Sequence, residues 1–402
     1  MGIGAIQVLI HASELLTGEG IRRKDGRRVK PQDVGRIPDG ALVCRDGKVE
    51  WVGPTSKLPA KYARAKKTDL KGLQAVIPGL VDCHNHLIFA GDRSEDFAAR
   101  CGGATYQEIA ARGGGIARTV SETRKATSKE LERLATARLR ELASHGVRTV
   151  EIKSGYGLSL EAEIKILEVI PRLRKKFPHL TLTATFLGAH DFPKERTRAE
   201  YLDDLVSRML PLVAKRKLAD ACDVFVDEGY YTCEEARRIL TRARELGLKI
   251  KFHADELANT ESATLAAHMG ALSADHLLKI SDHGVQALAK SQTVAVLLPG
   301  TAFYLKASHA PARKLIEAGV AVAIATDFNP GTCVMLSLPS VMTIAALYLG
   351  MTGAELLAAT TYNAAKALGL EKCKGTLTKG MDADFAVLPY ARFEELYYHF
   401  AR

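Results

Sequence analysis

The rhythm of apolar positions changes near residue 76. Before it, short β-rich runs are separated by turns, and GALVCRDGKVEWVG sets two such runs on either side of Asp46-Gly47, the pattern of a two-residue hairpin. Residues 1–75 therefore read as a small β domain. After it, short apolar runs alternate with longer amphipathic stretches. The runs are AVIPGLVDCHNH, VRTVEIKSGYG, LTLTATFLGAH, ACDVFVDEG, LKIKFHADE, LSADHL, TVAVLLPG and VAVAIATDFNP. Helical spacing fills several of the gaps, as in SKELERLATARLRELASHG (128–146), EAEIKILEVIPRLRKKF (161–177) and CEEARRILTRARELG (233–247). Eight strands alternating with helices predict an α/β fold, a parallel sheet covered on both faces and closed into a (β/α)8 TIM-type barrel.

Composition narrows the class. The chain has 402 residues, 47% hydrophobic and 25% charged, which is ordinary for a folded globular protein. Its formal net charge is +10, but basic and acidic residues are interleaved, so no nucleic-acid partner is expected. The densest basic groups, RRKDGRRVK (22–30) and KYARAKK (61–67), are expected on solvated connections. Seven scattered cysteines without a CxxC pair argue for a reducing, cytoplasmic setting. No secretory leader and no membrane span are expected from the apolar pattern. GGGIARTV (113–120) does not fit a dinucleotide-binding GxGxxG after a strand.

Polar residues recur where the strands end, the face on which such barrels place their chemistry. His84 and His86 follow the first run, Tyr156 the second and His190 the third. Asp227 and Glu228 come next, then His253, Asp255 and Glu256, then Asp275 and His276, then Asp327 and Asn329. A solvated rim would explain one or two of these, but not histidine at four strand ends in a chain with 12. His84 and His86 stand on one face of their strand with Asn85 turned away. With His253 and Asp327 they make a donor set suited to zinc or iron, with room for a water whose pKa the ion would lower. No lysine ends LTLTATFLGAH to bridge a second ion, so one metal ion per subunit is expected. Lys153 in EIKSGYG is expected to order its loop.

PGLVDCHNHLIFAGDR, FHADE, ADHL and ATDFNPG together resemble the metal-dependent amidohydrolase superfamily. GATYQEIAARGGGI (103–116), EIKSGYGL (151–158), TFLGAHDFP (185–193), DVFVDEG (223–229) and TDFNPGT (326–332) resemble its imidazolonepropionase family, and the likeness runs from about residue 77 to about 388. The resemblance implies ring opening of 4-imidazolone-5-propanoate by water to N-formimino-L-glutamate, a step of histidine degradation. It implies metal ligation by His84, His86, His253 and Asp327, and substrate contacts from Arg93, Tyr106, Tyr156, His190, Glu256, Asn329, Gly331 and Thr332. It also implies a homodimer, and a smaller β-sandwich-like domain made from both chain ends, 1–75 and 369–402, around a barrel of 76–368. Family members continue past FEELYYHFAR with a further strand, so the edge of the small domain is expected to differ here.

The residue types suit those roles. Arg93 offers a planar fork for a small anionic heterocycle's propionate. Glu256 is placed as general acid/base, His276 as support for the water or the oxyanion, and Asp327 as ligand and proton acceptor. The rival readings are a superfamily aminohydrolase that deaminates a heterocycle and a barrel that has lost catalysis.

Overall fold

The computed structural model describes residues 6–104, 108 and 112–400. Strands β1 (Ile6–Leu16), β2 (Arg36–Arg45), β3 (Lys48–Pro54), β4 (Lys67–Asp69) and β5 (Val76–Pro78) build a mixed sheet at the amino-terminal side. β2 and β3 form the expected hairpin, Arg45 pairing with Lys48. The turn needs positive φ at both central residues, and Asp46 (50°) and Gly47 (73°) supply it.

Eight parallel strands follow in sequential order: β6 (Leu80–Asp82), β7 (Val147–Lys153), β8 (Thr181–Ala189), β9 (Ala221–Val226), β10 (Lys249–Ala254), β11 (Ser273–His276), β12 (Val294–Leu297) and β13 (Val322–Ile324). β9, β11, β12 and β13 are buried at every residue, as a sheet covered on both faces requires. The helices between them begin where the chain offers caps. Thr127 caps Ser128–Ser144, Ser159 caps Leu160–Lys176, and Thr232 with Glu235 forms a capping box for Cys233–Glu245.

The barrel closes between its first and last strands. The Asp82 carboxylate accepts the Thr326 N–H at 2.9 Å and the Thr326 hydroxyl at 2.7 Å. Just beyond, Asp327 N–H donates to His84 C=O and His86 N–H to Phe328 C=O, each at 3.0 Å. The seam is thus made by the same short segments that carry two histidines and the aspartate of the expected metal site. After the barrel, β14 (Phe385–Val387) returns to pair antiparallel with β5, so both ends of the chain share the small sheet.

One basic segment differs from its expectation. Arg27, in RRKDGRRVK, is not a solvated charge: its guanidinium donates to the carbonyls of Ala289 (3.1 Å), Ser291 (2.6 Å) and Gly319 (3.0 Å), tying that segment to the barrel. Among the described residues no helix is long and apolar enough to cross a membrane.

Candidate metal centre and active-site cavity

The two histidines after β6 meet His253 from the end of β10 and Asp327 from beyond β13. Ring nitrogens of His84, His86 and His253 lie within 4.8 Å of one another, and so do those of His84 and His276 with an Asp327 oxygen. Asp327 Oδ1 is 3.4 Å from His84 Nε2 and 3.5 Å from His86 Nε2. His84 Nε2 and His253 Nε2 are buried without a protein hydrogen-bond partner. Buried polar atoms are normally paired, and convergent nitrogens left open beside a carboxylate suit a divalent ion of the zinc or iron type. Asn85 faces away, its amide donating to Asp82 at 2.8 Å.

The donors are aimed from behind. His84 Nδ1 is 2.6 Å from Asp275 Oδ2, and His253 Nδ1 is 3.0 Å from Asp223 Oδ2. The Thr301 hydroxyl donates to Asp327 Oδ2 at 2.6 Å. The carboxylate hydrogen-bonded to His84 Nδ1 fixes that ring's tautomer and presents its Nε2, while Asp223 stands close to His253 without a well-aligned hydrogen bond. These carboxylates belong to a fully buried ionic cluster inside the barrel. Lys153 Nζ reaches Asp223 at 2.6 Å, Glu151 at 3.2 Å and Asp275 at 3.5 Å, while Lys251 Nζ reaches Glu151 at 2.6 Å. Lys153 therefore does not order its loop as expected; strand alternation turns it inward. Burial opposes its charge, but the three carboxylates outweigh this and hold the ammonium above its usual range.

Burial also keeps the imidazoles neutral: His84, His86 and His276 are pushed well below 6.5, and His190 to about 3. Burial, with the nearby Asp327 and Asp227 charges, pushes Glu256 well above the carboxylate range. Asp327 is raised to about 6 by burial. Asp255 (φ 48°), His276 (77°) and Asp327 (49°) hold left-handed backbone at these strand ends, each costing about 1–3 kcal/mol.

Above the histidine–aspartate cluster opens a cavity of about 390 Å³. His86, His253, His276, Asp327 and Glu256 line its floor, and Arg93, Tyr156, His190, Asn329 and Thr332 also border it. His190 stacks on His86 (ring centroids 5.1 Å apart), and Tyr156 meets His190 edge-on at 5.4 Å. Glu256 Oε2 is 3.4 Å from His276 Nδ1. Arg93 Nε donates to Asp96 at 2.9 Å, which leaves the terminal pair of nitrogens outside that bond. Asn329 differs from a simple contact residue. Its Oδ1 accepts the Gly331 and Thr332 N–H groups (2.9 and 2.8 Å) and its Nδ2 donates to Asp327 C=O at 2.7 Å, so it shapes the loop after β13. Gly331 borders an adjoining cavity of about 360 Å³ shared with Arg93. A Cβ on Gly331 would sit 2.1 Å from Arg93 Nη1, so any larger residue there would require the end of the arginine side chain to shift. Tyr106 lies outside the described residues.

Sequence reasoning did not assign Asp223, Glu151, Lys251 or Thr301, nor the walls Phe225 and Tyr230. A signal existed for the cluster. Glu151 and Lys153, and Lys251 and His253, alternate within otherwise apolar runs, which places each pair on one face of its strand.

The chain matches the amidohydrolase family over residues 75–399. It is 48% identical to an imidazolonepropionase of Symbiobacterium thermophilum over 399 residues, covering 98% of this chain and 93% of that protein. It is 44% identical to one of Porphyromonas gingivalis (96% and 92% covered). Among solved structures, a zinc-bound adenosine deaminase of Xanthomonas campestris superposes with a TM-score of 0.71 at 18% identity, covering 95% of this chain and 84% of that one. A guanine deaminase of C. acetobutylicum with bound guanine gives 0.67 at 17% (96% and 91% covered). At such identities these two establish the barrel architecture alone.

Proposed function

The chain belongs to the imidazolonepropionase family of the amidohydrolases, and from that premise we propose that it opens the ring of 4-imidazolone-5-propanoate to N-formimino-L-glutamate with one zinc or iron ion per subunit. The observation that carries the reading is the convergence of His84, His86, His253 and Asp327 below a cavity bordered by Arg93. Those four side chains would hold the ion, which when bound supplies an acidified water near neutral pH.

The chain's own groups do the rest. Arg93 offers its terminal nitrogens to the propionate in the two-point manner of carboxylate recognition. Tyr156 and His190, set edge to face, orient the flat ring over His86. Glu256, three residues past His253, takes a proton on the attacking side and delivers one to the departing ring nitrogen. His276, beside Glu256, supports the charge that develops on the carbonyl oxygen. Asp327, fixed by Thr301, is ligand and second proton acceptor. Thr332, with Asn329 and Gly331, forms the loop that frames Arg93.

The same reading places the protein in the cytoplasm as a homodimer. It divides the chain into a discontinuous small domain (1–75 and 369–402) and the barrel (76–368), with β5 at the junction. The test is direct: purified protein is mixed with imidazolone propionate, loss of its ultraviolet absorbance is followed, and bound metal is quantified. Formation of formiminoglutamate by metal-loaded protein supports the proposal. Inert substrate, or ammonia release from a purine or pyrimidine instead, overturns it.

A further inference from the structure

β9 ends at Val226, and the next side chain, Asp227, is 4% exposed. It does not border the active-site cavity. Its carboxylate is fully used by backbone donors. Oδ1 accepts the N–H of Glu228 at 2.8 Å and of Ala258 at 2.9 Å; Oδ2 accepts those of Glu256 at 2.9 Å and Leu257 at 2.8 Å. Three of these four donors belong to the segment after β10 that carries the Glu256 carboxyl. Such a cluster of N–H groups around one anion is a nest, usually filled by a ligand; here a side chain from the neighbouring strand fills it.

The other side of the segment is anchored separately. Asp255, at φ 48°, accepts the Thr260 N–H at 2.9 Å and the Ser262 and Ala263 N–H groups at 3.2 Å each. The start of Ser262–Met269 is thereby fixed without help from Asp227. Asp255 thus pins both ends of the 256–258 stretch, while Asp227 accepts all three of its amides and so bears directly on where Glu256 stands relative to His276.

We infer that Asp227 is a positioning residue for Glu256: its carboxylate moulds the 256–258 backbone so that the Glu256 carboxyl reaches into the cavity. The inference rests on the proton-transfer role given to Glu256. An amide at this position keeps one acceptor oxygen, and its NH2 would oppose two of the four N–H donors. Misplacement of a reacting group by about 1 Å lowers rates by up to roughly 100-fold.

The experiment compares Asp227→Asn with native protein and Glu256→Gln, measuring kcat, KM and bound metal for each. The expected result is a fall in kcat of roughly 10- to 100-fold, with KM changed little and metal content kept. Hydrogen exchange on the native protein adds a readout that needs no variant: the amides of Glu256, Leu257 and Ala258 are protected if Asp227 holds them. Unchanged kcat in Asp227→Asn, a kcat loss matched by loss of metal, or fast exchange of those amides overturns the inference. Full activity in Glu256→Gln instead overturns the role of Glu256 itself, so the two failures are distinguishable. Should Asp227→Asn not fold, the exchange measurement decides.

Discussion

His84 Nδ1 stands 2.6 Å from Asp275 Oδ2, both fully buried, so the imidazole is oriented by a carboxylate that the barrel interior itself neutralises. Lys153 and Lys251 approach Asp275 to 3.5 and 4.0 Å. Asp275→Ala is expected to leave the ring free to rotate and to weaken metal binding by roughly 10- to 100-fold. Chelator competition with zinc, read against native protein, checks this; unchanged affinity would remove Asp275 from the metal site.

Arg93 and Gly331 are predicted to behave as one unit. On the proposed role of Arg93, Arg93→Ala would remove the fork for the propionate, and KM should rise steeply with a smaller change in kcat. Gly331→Ala should raise KM in the same direction but by less, because its methyl would push the end of the Arg93 side chain from its present place. Steady-state kinetics on both variants, with metal analysis, tests the pairing. A Gly331→Ala enzyme with native KM would separate them.

Glu256→Gln preserves shape and removes the carboxyl to which proton transfer is assigned in the proposed function. It should retain its metal and lose turnover by roughly 100- to 10,000-fold, the usual contribution of general acid–base catalysis. Rates per bound metal equal to those of native protein would refute it.

Acid sensitivity follows from the neutral imidazoles. Burial holds His190 at about 3, against 6.5 for the free group, so below 6.5 the unfolded chain binds the proton that the folded chain refuses. Stability should therefore fall as pH drops from about 6.5 toward 3, and be unaffected by this group above that window. His190→Gln should flatten the slope within it by up to about 1.4 kcal/mol per pH unit. Denaturant unfolding at a series of pH values measures both slopes; equal slopes would exclude His190 as the source.

What the sequence made legible was what strand periodicity and residue type share. The pair His84 and His86 shows its common face through spacing of two, and His253 and Asp327 stand out as polar residues closing apolar runs. The hairpin at Asp46-Gly47 was equally plain, since few other pairs accept that turn. The ionic cluster was not legible in the same way. Lys153 and Lys251 belong to a residue type almost always solvated, and only the identity of their partners, Glu151, Asp223 and Asp275, makes burial tolerable. Arg27 was hidden for a related reason: its acceptors are backbone carbonyls some 260 to 290 positions away, which no local pattern announces. Asn329 was assigned to the right loop, but its engagement with the loop's own amides depends on a turn geometry that composition does not encode.

The pairing of β14 with β5 has a bearing on biosynthesis. A ribosome releases β5 (Val76–Pro78) long before β14 (Phe385–Val387), and the first barrel strand hangs directly from β5. Until β14 has been made, the nascent polypeptide carries an open strand edge at the point from which the barrel must grow, a position open to mispairing with other chains. A chain that stopped short of β14 would leave that edge permanently bare, even though every residue assigned to chemistry would already have been translated.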